Sequence, residues 1–174
     1  MYKGLKISIF IALFLVLFSP QEVSAAEISG LIGHWKMNDN SADTTVVDSS
    51  GNNNNGTFND AGGDPNTNAH TTTGKINEAL DFNPSGSDDF IEIDSNVIND
   101  NTFTICFWEN SNASTGGYWA GDSADPGNLF LRRQLGTIIG IGDTLSSNYA
   151  LSTGVWHHHC VTHNSGGSYE WFTD

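Results

Sequence analysis

Cationic side chains are scarce. Six Lys and Arg stand against twenty Asp and Glu in 174 residues, and the formal net charge is −14 with neutral histidine. A surface this poor in cations cannot displace counterions from phosphate, which excludes nucleic-acid binding. It is equally disfavoured on anionic membranes. Divalent cations, neutral sugars and proteins remain as partners. Helical periodicity is nearly absent from Glu27 onward, so a helical bundle is excluded. No internal repeat is present, and the length suits one domain rather than a catalytic domain with a separate binding module. What the chain has in quantity is glycine and asparagine, 19 of each, the composition of turns joining short strands. Its 37% hydrophobic content is ordinary for a soluble chain and too rich for a disordered one.

The N-terminus carries the marks of export. Lys3 and Lys6 precede an almost unbroken apolar run from Ile7 to Phe18, which Pro20 ends, and Val23-Ser24-Ala25 offers small residues at a cleavage site. The run is shorter than the roughly 20 residues of a membrane span, so residues 1–25 read as a signal peptide, an uncleaved anchor being the rival. No cysteine follows the run to carry a lipoprotein anchor. Cleavage after Ala25 removes Lys3, Lys6 and Glu22, leaving four basic and nineteen acidic residues and a charge of −15. Residues 26–174 are then an exported domain, secreted or held at the cell surface, with no membrane insertion.

In that domain the apolar segments are short and bounded by Gly, Asn, Asp or Ser. They are Leu31 to Met37, Ala79 to Phe82, Phe90 to Ile93, Phe103 to Trp108, Leu129 to Leu131, Ile138 to Ile141, Val155 to Thr162 and Tyr169 to Phe172. Each has strand length and is rich in aromatic and β-branched residues. Strands at this spacing predict a sandwich or barrel. The stretch from Ser49 to Gly74 reads as loops around one short strand at Gly56 to Phe58.

The order of these segments carries a resemblance. Gly33-His34-Trp35-Lys36-Met37-Asn38-Asp39, then Asp48-Ser49-Ser50-Gly51-Asn52 with Asn55-Gly56-Thr57-Phe58, are similar to the first two signatures of laminin-G-like domains. Ala79-Leu80-Asp81-Phe82 with Phe90-Ile91-Glu92-Ile93, Phe103-Thr104-Ile105-Cys106-Phe107-Trp108 and Gly154-Val155-Trp156-His157-His158 continue the series in order. The chain resembles the laminin-G-like branch of the concanavalin A-like lectin/glucanase superfamily. The resemblance implies an all-β, two-sheet antiparallel jelly roll. Similar domains continue past the strand at Tyr169 to Phe172, so the C-terminal strands of the sandwich are expected beyond Asp174, in a longer protein with further domains.

Glu92-Ile93-Asp94 invites comparison with the Glu-x-Asp-x-Glu strand of glucanases in that superfamily. A retaining mechanism needs two carboxylates flanking the bond, but Asn96 stands where the third carboxylate of the pattern belongs. No catalytic residue is assigned. His157, His159 and His163 share one strand face by parity, and His158 lies on the other with Cys160. Such spacing suits zinc, yet similar domains use Trp-His-His for packing and hydrogen bonding, and that is the expectation.

Cys106 and Cys160 lie mid-strand in a chain read as exported, where disulfides persist. A disulfide and two buried free thiols are both compatible with the sequence. Similar domains bring their two N-terminal signature turns together near a calcium, which assigns Asp39, Asp48 and Asn52 as ligands for a structural Ca²⁺. The rival is that Asp and Asn are turn formers. Aromatic faces that could stack on sugars are Tyr118, Trp119, Phe130 and Trp171, with Tyr118, Trp119 and Trp171 taken as the ligand-binding set. The function implied is a non-catalytic recognition module for carbohydrate or a glycosylated cell surface. A structural or adhesion module with protein partners is the first alternative, and a glycan-active hydrolase is the second.

Overall fold

The computed structural model describes residues 29–82, 89–93, 97–98, 102–112, 117–121, 130–134, 137–139, 146–164 and 169–174, and within 117–150 the side chain of Leu131 alone. The expected signal segment, residues 1–25, lies outside the described residues. The chain divides after Leu31 into two units. Of the first, residues 29–31 are described, and they include a turn with Gly30 at φ 84°. The second, Ile32–Asp174, contains every strand among the described residues.

Twelve strands are described: β1 (Thr45–Val46), β2 (Gly56–Asn59), β3 (Thr71–Thr73), β4 (Glu78–Leu80), β5 (Phe90–Ile93), β6 (Phe103–Glu109), β7 (Gly117–Gly121), β8 (Phe130–Gln134), β9 (Thr137–Ile139), β10 (Ser146–Ala150), β11 (His157–His163) and β12 (Tyr169–Thr173). A 3₁₀ turn at Thr67–Ala69 precedes β3, and no α-helix occurs among the described residues. All the pairings are antiparallel. They build sheets β1-β2-β5, β10-β9-β8-β7 and β12-β11-β6, and the hairpin β3-β4. The protein is all-β.

Strand alternation decides which residues are buried. On β6, Phe103, Ile105, Phe107 and Glu109 turn inward and Thr104, Cys106 and Trp108 outward. On β11, His159, Val161 and His163 are buried. Leu131 of β8 and Val161 of β11 are the buried centre of one cluster, packed against Ile98, Phe103, Ile105, Phe107, Tyr169 and Trp171. The sheets β7–β10 and β6–β11–β12 therefore share a core. A second cluster joins Val46, Phe58 and Leu80 to Trp35, Met37 and Ile91, tying the first sheet to the β3-β4 hairpin.

Two expectations change, and β1, β7 and β10 lie outside the segments read from sequence. Leu31 to Met37 is not a strand: Trp35 makes an isolated bridge to Asp48, and Met37 at φ 55° leaves the extended region. The stretch from Ser49 to Gly74 holds β3 as well as β2, because three threonines find a partner strand in Glu78–Leu80. β10, Ser-Ser-Asn-Tyr-Ala, has no apolar alternation and exists through its pairing with β9.

Candidate functional site: an acidic concavity around His70

The β3-β4 hairpin is closed by a tight turn in which the Gly74 N–H donates to the Asn77 carbonyl at 2.9 Å and Asn77 adopts φ 61°. A side chain at Gly74 would run into the Glu78 backbone, so the close approach needs glycine. Beyond the hairpin the ladder continues, with Asp81 N–H donating to the His70 carbonyl at 2.8 Å. This brings the loop of Asp60 and Asp64 beside Asp81, which lies some twenty residues further along the chain.

His70 is the joint. Its side chain is 8% exposed and its ring packs on buried Phe58 at 4.2 Å between centroids. Nδ1 faces the Asp81 carbonyl oxygen at 3.1 Å, and Nε2 faces the Asp64 carbonyl oxygen at 2.8 Å. Both partners are acceptors, and the tautomer decides which nitrogen donates. Asp60 Oδ2 lies 3.6 Å from Nε2 and Asp89 Oδ2 4.0 Å from Nδ1, supplying negative charge on either side. Asp60 is otherwise held by the Gly62 N–H at 2.8 Å, and Asp64 accepts from the Asn66 N–H at 3.0 Å.

Around this joint lies a concavity of about 330 Å³ lined by Asp60, Asp64, Ala69, His70, Thr71, Thr72 and Asp81. Its volume falls at the lower end of the roughly 300–1,000 Å³ of small-molecule sites. Asp64, Thr72 and Asp81 are exposed, whereas Asp60 and His70 form the wall. Phe82, next in the chain to Asp81, is 43% exposed, and its ring stands 5.4 Å from Phe58. The arrangement offers acceptors and hydroxyls to a small polar ligand, with an apolar face close by.

The turn assigned to calcium has a different internal logic. Asp48 Oδ1 accepts from the backbone N–H groups of His34 and Ser50, both at 2.8 Å. Its Oδ2 accepts from Ser50 Oγ at 2.8 Å and the Asn54 N–H at 3.0 Å. Burial raises the carboxyl pKa, but these hydrogen bonds together outweigh burial and hold it at about 2. Asn52 sits in the same turn, its amide nitrogen donating to the Ile32 carbonyl and Ser50 Oγ. Asp39 meets the chain one residue before Asp48, its Oδ1 accepting from the Val47 N–H at 3.0 Å. An ion at Asp48 would have to displace donors already in place. The asparagine run is likewise occupied with backbone: Asn54 donates to the Ile32 carbonyl, and the Trp35 indole donates to the Asn54 carbonyl.

Of the aromatic set, the side chains of Tyr118, Trp119 and Phe130 lie outside the described residues. Trp171 belongs to the core cluster, and its indole N–H donates to Thr173 Oγ1 at 2.7 Å. The histidine row follows the parity read from sequence. His159 is fully buried, with Nδ1 2.8 Å from Thr173 Oγ1 and Nε2 3.6 Å from Glu109, and His163 stacks on Tyr169 at 4.0 Å. Ser152, His157 and Asp174 are the residue types of a nucleophile–base–acid chain, with Ser152 Oγ 3.0 Å from His157 Nε2. The third link is absent, since His157 Nδ1 and Asp174 Oδ1 are 3.8 Å apart and that oxygen accepts from the His158 N–H at 2.9 Å. That bond is the main reason the Asp174 carboxyl lies below the usual range.

Cys106 and Cys160 are register partners on β6 and β11 and form a disulfide. The pairing decides between the two alternatives the sequence allows, and it is consistent with an extracellular location. No helix among the described residues is long and apolar enough to cross a membrane.

Sequence gives Asp60 and Asp64 no role, places Asp81 only within a strand signature, and leaves His70 as an isolated histidine with a structural role. The one local hint is a pair of aspartates four apart around Gly62-Gly63, ahead of a lone histidine. No protein-family model, curated protein or solved structure matches the chain.

Proposed function

We propose that this chain is a non-catalytic, exported recognition module of the laminin-G-like jelly-roll type, and that it binds carbohydrate in the acidic concavity. The observation that carries the reading is the grouping of Asp64 and Asp81 with Thr71 and Thr72 around one hollow, with exposed Phe82 next in the chain to Asp81. Sugar hydroxyls donate to carboxylates in charge-assisted hydrogen bonds, about twice as strong as neutral ones. Threonine hydroxyls both donate and accept. The flat apolar side of a pyranose stacks on an aromatic face. A neutral polyhydroxyl ligand also suits a strongly acidic protein, because it adds no like charge. The ordered motifs and wholly antiparallel sheets support the jelly-roll reading.

Glycan-array screening followed by calorimetry tests this. A hit should weaken at least about tenfold in Asp64→Asn and Asp81→Asn, the loss of one charged hydrogen bond of about 1.5–3 kcal/mol, and should weaken in Phe82→Ala. Retention of full affinity in all three variants would move the site elsewhere. Calcium at Asp39, Asp48 and Asn52 enters the same experiment. Melting in calcium and in magnesium at matched ionic strength separates a specific ion from diffuse screening. A calcium effect that survives Asp48→Asn places the ion away from that turn.

A second reading has its own observation. Trp108 and Phe172 on the outer face of β6-β11-β12 are 40% and 55% exposed, which suits a protein partner. In that case the glycan array is silent, and Phe172→Ser abolishes attachment to the partner.

A further inference from the structure

The same outer face holds side chains that neither the core nor the concavity uses. Cys106 and Cys160 stand directly opposite each other, Cα atoms 4.1 Å apart. His158 lies two residues before Cys160, hence on the same face. Its ring packs on that of its register partner Trp108 at 4.8 Å between centroids. Its backbone is held by Asp174, whose Oδ1 accepts the His158 N–H and whose own N–H donates to the His158 carbonyl. The ligating atoms of Cys106, His158 and Cys160 all lie within 4.8 Å of one another, with Cys106 exposed and the other two half-buried. Among the described residues this is the one group of three or more His, Cys, Asp or Glu side chains that converges so closely.

We infer that this face is a redox-gated site for zinc or a similar soft divalent metal: closed while the disulfide stands, open once it is reduced. Two sulfurs and one imidazole nitrogen form a ligand set that favours zinc and disfavours calcium and magnesium, which prefer oxygen. A disulfide sulfur is not a thiolate and does not serve as such a ligand. A dithiol reductant supplies the two electrons. The Cys106–Cys160 bond breaks, each sulfur takes a proton, and the reductant's two sulfurs bond to each other. Binding of Zn²⁺ then releases both thiol protons to solvent, and neutral His158 supplies the third ligand. Tetrahedral zinc with bonds of about 2.3 Å spaces its sulfurs about 3.8 Å apart. Opposed side chains on neighbouring strands begin about 4.5–5.5 Å apart at Cβ, so both sulfurs remain within reach of one ion. Cys106 is exposed, so water can supply a fourth ligand. The metal then replaces the covalent link between β6 and β11, so one pair of cysteines staples the sheet in both oxidising and reducing surroundings. The acidic surface raises the local cation concentration around it.

The test uses the intact chain, reduced with dithiothreitol, freed of it without air, and titrated with Co²⁺ and then Zn²⁺. One cobalt per chain should bind with the intense visible bands of a tetrahedral thiolate site, zinc should displace it, and the oxidised chain should show no such bands. His158→Ala should weaken zinc by at least the roughly 10–100-fold that losing a ligand's outer partner costs. Zinc, and not magnesium, should restore part of the melting temperature lost on reduction. Cobalt without thiolate bands in a folded reduced chain overturns the inference, as does His158→Ala binding as tightly as the parent. If reduction unfolds the chain, zinc must restore its β-sheet circular dichroism, and failure to do so overturns it too.

Discussion

At the scale of single residues, Asp48 shows how one carboxylate organises a turn. Its four donors, three of them backbone N–H groups of His34, Ser50 and Asn54, come from segments without a regular ladder of their own. Asp48→Ala would orphan them, at a cost of about 2–4 kcal/mol read from denaturant unfolding. The same bonds make stability depend on pH. The folded pKa of about 2 lies below the ordinary 3.8, so the contribution is complete above pH 3.8 and is lost as pH falls from 3.8 through about 2. The difference is worth roughly 2 kcal/mol. Asp48→Asn should flatten that part of the stability–pH curve. If the variant and parent fall in parallel, other carboxylates carry the acid sensitivity.

At the scale of elements, the β3-β4 hairpin is short, three residues a side, and too small to hold itself together. It persists because Leu80 is buried with Val46 and Phe58, and because the His70 ring lies between the Asp64 and Asp81 carbonyls. Gly74→Ala should force the turn apart at a cost of about 1–3 kcal/mol. Amide exchange should then quicken in Thr71–Thr73 and Glu78–Leu80 and stay slow in β6 and β11. Uniform acceleration in all four strands would show that the hairpin is no separate unit. Since this hairpin carries Thr71 and Thr72 and leads into Asp81, the same substitution should weaken any ligand of the concavity.

At the scale of the whole molecule, the disulfide joins positions 54 residues apart at the centre of the longest sheet pairing. Loop-closure entropy for that span is worth roughly 4 kcal/mol, model-dependent. The double variant Cys106→Ser with Cys160→Ser should therefore melt about 8–16 °C lower. An unchanged midpoint would mean that the unfolded chain is already constrained or that the bond strains the native sheet. Charge acts at this scale as well. With twenty acidic residues against six basic ones, added neutral salt should raise the midpoint by screening self-repulsion.

The strands β5, β6, β11 and β12 are legible in sequence because their alternation is a local property: period two and β-branched or aromatic residues suffice. Acidity, and the ligand classes it excludes, follow from composition alone. Which face each histidine of β11 occupies follows from parity. Pairing does not. The partner of Thr71–Thr73 lies across a turn in Glu78–Leu80, and β10 exists only because β9 offers it a ladder. Whether Cys106 meets Cys160 depends on register, which a shift of one residue would reverse. The concavity is more remote still from sequence. Asp60 and Asp64 carry no motif and Asp81 stands only within a strand signature; they meet because Phe58 and Leu80 are buried in one cluster while the His70 ring lies between two backbone carbonyls. Local side-chain periodicity decides which segments are strands. Burial and hydrogen-bond satisfaction between distant segments decide which carboxylates end up sharing a hollow.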